Sequence, residues 1–139
     1  TLIGIIPADT REVELPFEVG IDTDRIGGPS AGLAFTLALL DELTPGDLNG
    51  GVKIAATGTI SDDESIGAIG ALRQKTVAVK AAGAKVFFIP ASQSEQELAD
   101  ARQVAGASLR IIPVANLSEA LSALEDLGGS GLKNATIQL

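Results

Sequence analysis

A chain with no histidine and no cysteine has few groups that can do covalent chemistry. A Ser-His-Asp triad is impossible. So are imidazole and thiolate metal ligands, disulfides and iron-sulfur clusters. A nucleophile must be Ser, Thr, Lys or a carboxylate, and a base must be Lys, Asp or Glu. The most unusual local sequence is Gly27-Gly28-Pro29-Ser30-Ala31-Gly32. It places a serine where a loop becomes a helix. Glycines there let another chain approach the backbone closely. The N–H groups of a first helical turn can hold an anion, including the oxyanion of an acyl-transfer intermediate. Ser30 is therefore a candidate nucleophile. It is equally a good helix N-cap, a structural role that needs no chemistry. A phosphate-binding loop is a poor fit, because no Gly-x-x-x-x-Gly-Lys-Ser/Thr spacing exists. A Rossmann fingerprint is missing too.

A serine nucleophile needs a base, and the chain has five lysines: Lys53, Lys75, Lys80, Lys85 and Lys133. Lys53 and Lys85 begin strands, where lysines face solvent. Lys133 lies near the C-terminus. Lys75 and Lys80 share one helix. At about 100° per residue, Lys75 falls on the side of Leu72, between Ala78 and Val79, and Lys80 falls beside Arg73. Lys75 is the inward-pointing lysine. Burial disfavours a charged amine, which is what a lysine base requires. The competing role is snorkelling, with a buried stem and an ammonium in water. A rival site is acidic. Asp22, Asp24, Asp62, Asp63 and Glu64 lie in turns and could offer oxygens to a hard cation, although no EF-hand spacing is present.

The elements that must position these groups follow from periodicity and punctuation. Residues 11–20 partly alternate and read as a strand, and 21–29 as a loop. Leu33, Ala34, Leu37 and Leu40 give a helix over 30–42, stopped by Pro45-Gly46. Residues 52–60 read as one strand, with a short strand over 65–69. A helix over 71–82 closes at Gly83. Residues 85–89 form a short buried strand. Ser92-Gln93-Ser94-Glu95 reads as a capping box opening a helix to about 104. A strand over 109–114 follows, then a second capping pattern at Asn116 to Glu119 and a helix ending at Gly128-Gly129. Alternating helices and strands predict parallel pairing in the second half, and the first half reads as more antiparallel. The fold class is α+β, or mixed α/β.

The chain has 139 residues, which suits one domain. Residues are 45% hydrophobic but only 3% aromatic, so Val, Ile, Leu and Ala must build the core. Ten basic against eighteen acidic residues give a net charge of -8, which disfavours nucleic acid and anionic membrane surfaces as partners. The first residue is Thr1, so a piece of a longer or processed protein is expected. No signal peptide or transmembrane run is visible in this sequence. The expected domain spans 1–128, with a flexible tail over 129–139.

Taken together, the two candidate segments resemble the proteolytic domain of the Lon family of serine-lysine peptidases. Its nucleophile motif, Pro-Ser-Ala-Gly, is matched by Pro29-Ser30-Ala31-Gly32. Its lysine region is matched by Thr57-Gly58-Thr59-Ile60, followed by Ile69-Gly70-Ala71-Leu72-Arg73-Gln74-Lys75. Ala82 to Val86 and Ile89-Pro90 are also similar to the family's next strand. The likeness runs from about Glu14 to Leu127. It implies the Lon proteolytic fold, related to domain 2 of ribosomal protein S5. It also implies Ser30 as nucleophile, Lys75 as general base, and Thr57 as a supporting hydroxyl that helps hold the lysine. No cofactor or metal is implied. Gly-Gly-Pro-Ser-Ala-Gly-Leu-Ala-Phe is most similar to bacterial proteins that join a PDZ domain and a Lon-type domain behind a membrane anchor. An ATP-independent peptidase on the extracytoplasmic face of a bacterial membrane is the expectation, with protein substrates and a homo-oligomeric, hexameric ring. The alternative is a catalytically silent Lon-like domain that binds peptides or assembles a complex. Two departures stand out. Many Lon proteins have an acidic residue where this chain has Gly27, and many have a second glycine where it has Ala71. The second departure is expected to matter little.

Overall fold

A computed structural model describes Gly20 and residues 28–130. The strand expected over 11–20, and most of the loop expected after it, lie outside the described residues. A 3-10 turn, Pro29–Ala31, runs directly into α1, Gly32–Leu43. The strands β1 (Ile54–Ala56), β2 (Thr59–Ile60) and β3 (Ile66–Gly67) follow. The rest alternates: α2 (Leu72–Ala81), β4 (Val86–Pro90), α3 (Glu95–Ala105), β5 (Arg110–Val114) and α4 (Leu117–Asp126). The architecture is the mixed α/β one expected.

The main sheet has the order β1-β4-β5, parallel throughout, with Ile54 beside Val86 and Val86 beside Arg110. β2 and β3 form a separate antiparallel pair, Thr59 opposite Gly67. β4 is the central strand, and every residue in it is buried. Its alternating side chains feed two cores. Val86 and Phe88 pack with Leu33 and Leu37 of α1 and Ala120 and Leu124 of α4. Phe87 and Ile89 pack with Leu72 of α2 and Ala101 and Ala105 of α3. A parallel strand covered on both faces reads as an uninterrupted apolar run, which is why Val-Phe-Phe-Ile stood out. Pro113 is accommodated because β5 is an edge among the described strands.

Three boundaries differ from expectation. The strand expected over 52–60 is broken at Thr57-Gly58, because the Gly58 peptide turns away to bond Ser30 and Leu33. The capping box opens at Ser94, not Ser92. Ser94 Oγ accepts from Glu97 N at 3.3 Å, and Glu97 Oε2 accepts from Ser94 N at 3.2 Å. Gly129 and Ser130, expected to begin a tail, are held. Gly129 N donates to Leu124 O at 2.9 Å, and Ser130 N donates to Asp47 O at 2.8 Å. Residues 131–139 lie outside the described residues. At Asn116 the second cap forms as read, with its side chain accepting from Glu119 N at 2.9 Å.

Candidate active site

Ser30 lies in the 3-10 turn that feeds α1, preceded by Gly28 at φ 83°. A positive φ there suits glycine and no bulkier residue. The turn is docked onto the break between β1 and β2. Gly58 N donates to Ser30 O at 2.9 Å, and Leu33 N donates to Gly58 O at 3.1 Å. The hydroxyl of Thr57 also donates to Ser30 O, at 3.0 Å. Gly32 makes this approach possible: a Cβ there would stand 3.2 Å from both Ile60 N and Ile60 Cγ2. Gly58 is tighter still, since a Cβ would come within 2.6 Å of Ile66 Cγ2. No side chain caps the 3-10 turn or α1. The capping role considered for Ser30 is therefore not the one it takes.

Its side chain points elsewhere. Lys75 Nζ donates to Ser30 Oγ at 2.7 Å, across 45 residues of chain. The phase of α2 produces this contact. Leu72 and Thr76 face the interior, Lys75 between them is half-buried, and Lys80 is exposed. The Lys75 ammonium ends on the serine instead of in open water. Lys80 instead donates to Val104 O at 2.8 Å, capping the last turn of α3. Thr57, expected beside the lysine, directs its hydroxyl proton to the Ser30 carbonyl and so acts on the serine side of the pair. All three residues meet past the carboxyl end of β1, where open parallel sheets commonly place their sites.

The entrance to α2 is unusual. Ala71 stands at the N-cap with φ 58° and ψ 37°, left-handed and without a side-chain cap. An L-residue in that region carries about 1–2 kcal/mol of strain. The replacement of glycine here is thus less neutral than expected. Ala71→Gly should stabilise the domain by a few tenths to about 1 kcal/mol, after the added freedom of the unfolded chain is subtracted. Denaturant unfolding of the two proteins checks this, and a loss of stability would contradict it. What does fix this entrance is Gln93, whose buried amide bonds both N and O of Ile69. A lone glutamine in a turn carried no signal that could have revealed this.

The acidic alternative does not assemble. Among the described residues, no group of three or more acidic side chains is placed to hold a metal ion. Asp63 Oδ1 accepts from Ser65 Oγ at 2.6 Å and from Ser65 N at 3.1 Å, closing its own turn. Those bonds hold its carboxyl below the usual aspartate range. Asp22 and Asp24 lie outside the described residues. An apolar groove of about 450 Å³ between α1, β1 and α4 is lined by neither Ser30 nor Lys75.

Residues 21–125 match the family described as the Lon protease (S16) C-terminal proteolytic domain. The chain belongs to that family. The Lon protease of Neorickettsia sennetsu is 36% identical over 95 residues, covering 68% of this chain and 11% of that protein. The Lon protease of Aster yellows witches'-broom phytoplasma is 33% identical over 119 residues, 86% of this chain and 14% of that one. That of Trichlorobacter lovleyi is 37% identical over 94 residues, 68% of this chain and 11% of the relative. The chain thus corresponds to only 11–14% of these Lon proteases. Membership in the Lon family supports a peptidase function. No helix among the described residues is long and apolar enough to cross a membrane.

Proposed function

We propose that this Lon-type domain is a serine endopeptidase that needs no ATPase domain of its own, with Ser30 as nucleophile and Lys75 as general base. The observation that carries this reading is the 2.7 Å contact between Lys75 Nζ and Ser30 Oγ. It lies within the reach required of a base and its nucleophile. The ammonium donates to Oγ, and once the amine is neutral the same contact lets it accept the serine proton. Oγ then attacks the peptide carbonyl carbon. The lysine, now protonated, returns the proton to the departing amine, leaving an acyl ester on Ser30. Water attacks that ester with the amine again as base, and Ser30 is regenerated. Thr57 supports the scheme by holding the Ser30 carbonyl, which fixes the turn that aims Oγ. The N–H groups of Gly32 and Leu33 bond Pro29 O and Gly58 O. The candidates for oxyanion donors in this turn are therefore the amides of Ser30 and Ala31.

The wider setting is proposed on the sequence resemblance alone. It comprises a domain spanning 1–128, an upstream PDZ domain and membrane anchor, an extracytoplasmic location and a hexameric ring. Sedimentation of the full-length protein tests the ring, and monomers alone at high concentration would count against it. For the activity, the full-length protein should degrade an unfolded protein such as casein without added nucleotide. Equal cleavage by Ser30→Ala would end the reading. A stable, folded protein that captures peptides but never cleaves them would favour a silent binding domain.

A further inference from the structure

The entrance to the lysine helix is held from outside the helix. α2 has no side-chain cap, and its N-cap residue, Ala71, is strained. Two residues upstream, Ile69 N donates to Gln93 Oε1 at 2.7 Å, and Gln93 Nε2 donates to Ile69 O at 3.1 Å. Gln93 is only 6% exposed, so its amide is a built element of the interior and not a surface contact. A buried primary amide is costly unless bonded, and here its oxygen and nitrogen match one N–H and one C=O of a single residue. Gln93 is itself fixed. It lies between Pro90, at the end of β4, and Ser94, the cap of α3, and its own N–H donates to Pro90 O at 3.4 Å. From Ile69 the chain passes through Gly70 and Ala71 into the first turn, where Lys75 N donates to Ala71 O at 3.0 Å. Gln93 thus holds the chain two residues before the N-cap of the helix that carries Lys75.

We propose that Gln93 is a positioning residue for the Lys75 amine, holding Ile69 so that Nζ reaches Ser30 Oγ. This rests on the reading of Ser30 and Lys75 as the reacting pair. Gln93 makes its side-chain bonds to Ile69 and acts only through the helix. A misplacement of about 1 Å in such a pair can lower the rate by about 100-fold.

The test uses full-length protein carrying Gln93→Leu or Gln93→Glu, with steady-state cleavage of a peptide and circular dichroism to establish that each is folded at the assay temperature. Gln93→Leu keeps the bulk and removes both bonds. In fully folded protein its kcat should fall by about 10- to 100-fold while KM stays within about twofold, since the turn bearing Ser30 is untouched. Gln93→Glu supplies a second signature. Its ionised carboxylate opposes the Ile69 carbonyl, whereas the protonated acid can make both bonds. Its kcat relative to wild type should recover as pH falls, and the ratio for Gln93→Leu should stay flat. A lowered melting temperature with unchanged kcat would overturn the proposal and leave Gln93 purely structural. Should Gln93→Leu not fold, a folded Gln93→Glu whose relative kcat fails to recover in acid overturns it equally. If instead Ser30→Ala cleaves like wild type, the underlying assignment of the pair fails, whatever Gln93 does.

Discussion

Lys75→Arg should be as inactive as Ser30→Ala, with kcat down on the order of 10⁴- to 10⁶-fold for both, the range seen when one member of a reacting pair is removed. Ser30→Ala deletes the attacking oxygen. It also breaks the 2.7 Å bond to Lys75 but disturbs no cap, because Ser30 caps no helix. Lys75→Arg preserves charge and most of the stem. A guanidinium stays protonated, however, and cannot take the serine proton. A lysine acting only as an electrostatic partner would tolerate this change, and one acting as a base would not. Lys75→Ala should be equally inactive with a modest loss of stability from its half-buried stem. Turnover of an unstructured protein by these variants, from mildly acidic to alkaline pH, decides the matter. Wild-type-like activity in Lys75→Arg would refute the lysine as base.

Phe87→Ala and Phe88→Ala should each destabilise the domain by about 3–5 kcal/mol, against a typical total of 5–15 kcal/mol. The chain contains only four phenylalanines, and these two stand consecutively on the central strand. Phe87 is 1% and Phe88 0% exposed, and they face opposite cores. Losing either ring leaves a cavity that small aliphatic neighbours cannot close. Phe88 supports Leu33 and the helix that follows Ser30. Phe87 supports Leu72 and the helix that carries Lys75. Either variant should therefore lose activity at temperatures where it is still mostly folded. Chemical unfolding monitored by circular dichroism gives the cost. A change below about 1 kcal/mol for either would contradict this account of the core.

The fold was legible where one residue type has one use. Continuous apolar residues from Val86 to Ile89, ended by Pro90, read as a short buried strand, and β4 is that strand, buried throughout. Both members of the candidate pair were readable, Ser30 from its glycine-rich turn and Lys75 from the phase of its helix. Other features were hidden for definite reasons. The break at Thr57-Gly58 was not visible because the partner that opens it, Ser30, lies 27 residues away. Ser92 and Ser94 each have a glutamate three residues on, so spacing alone could not choose between them. The structure closes the box at Ser94, next to Gln93, whose side chain is bonded to Ile69. Ala71 gave no hint of a left-handed backbone, since alanine has no preference for one. Gln93 was missed because its partners are main-chain atoms, which sequence does not distinguish.

Ser30 and Lys75 are mounted on opposite sides of the sheet. The serine's turn leads into a helix packed on the Phe88 face, and the lysine's helix lies on the Phe87 face. Neither half of the interior holds both groups. On the proposed chemistry, a chain that has closed only one half is an unarmed protease. Newly made or partly melted molecules then cannot digest their neighbours, and hydrolysis begins only when both halves have set. On that chemistry the sheet serves as an interlock, making correct folding of both halves a condition for activity.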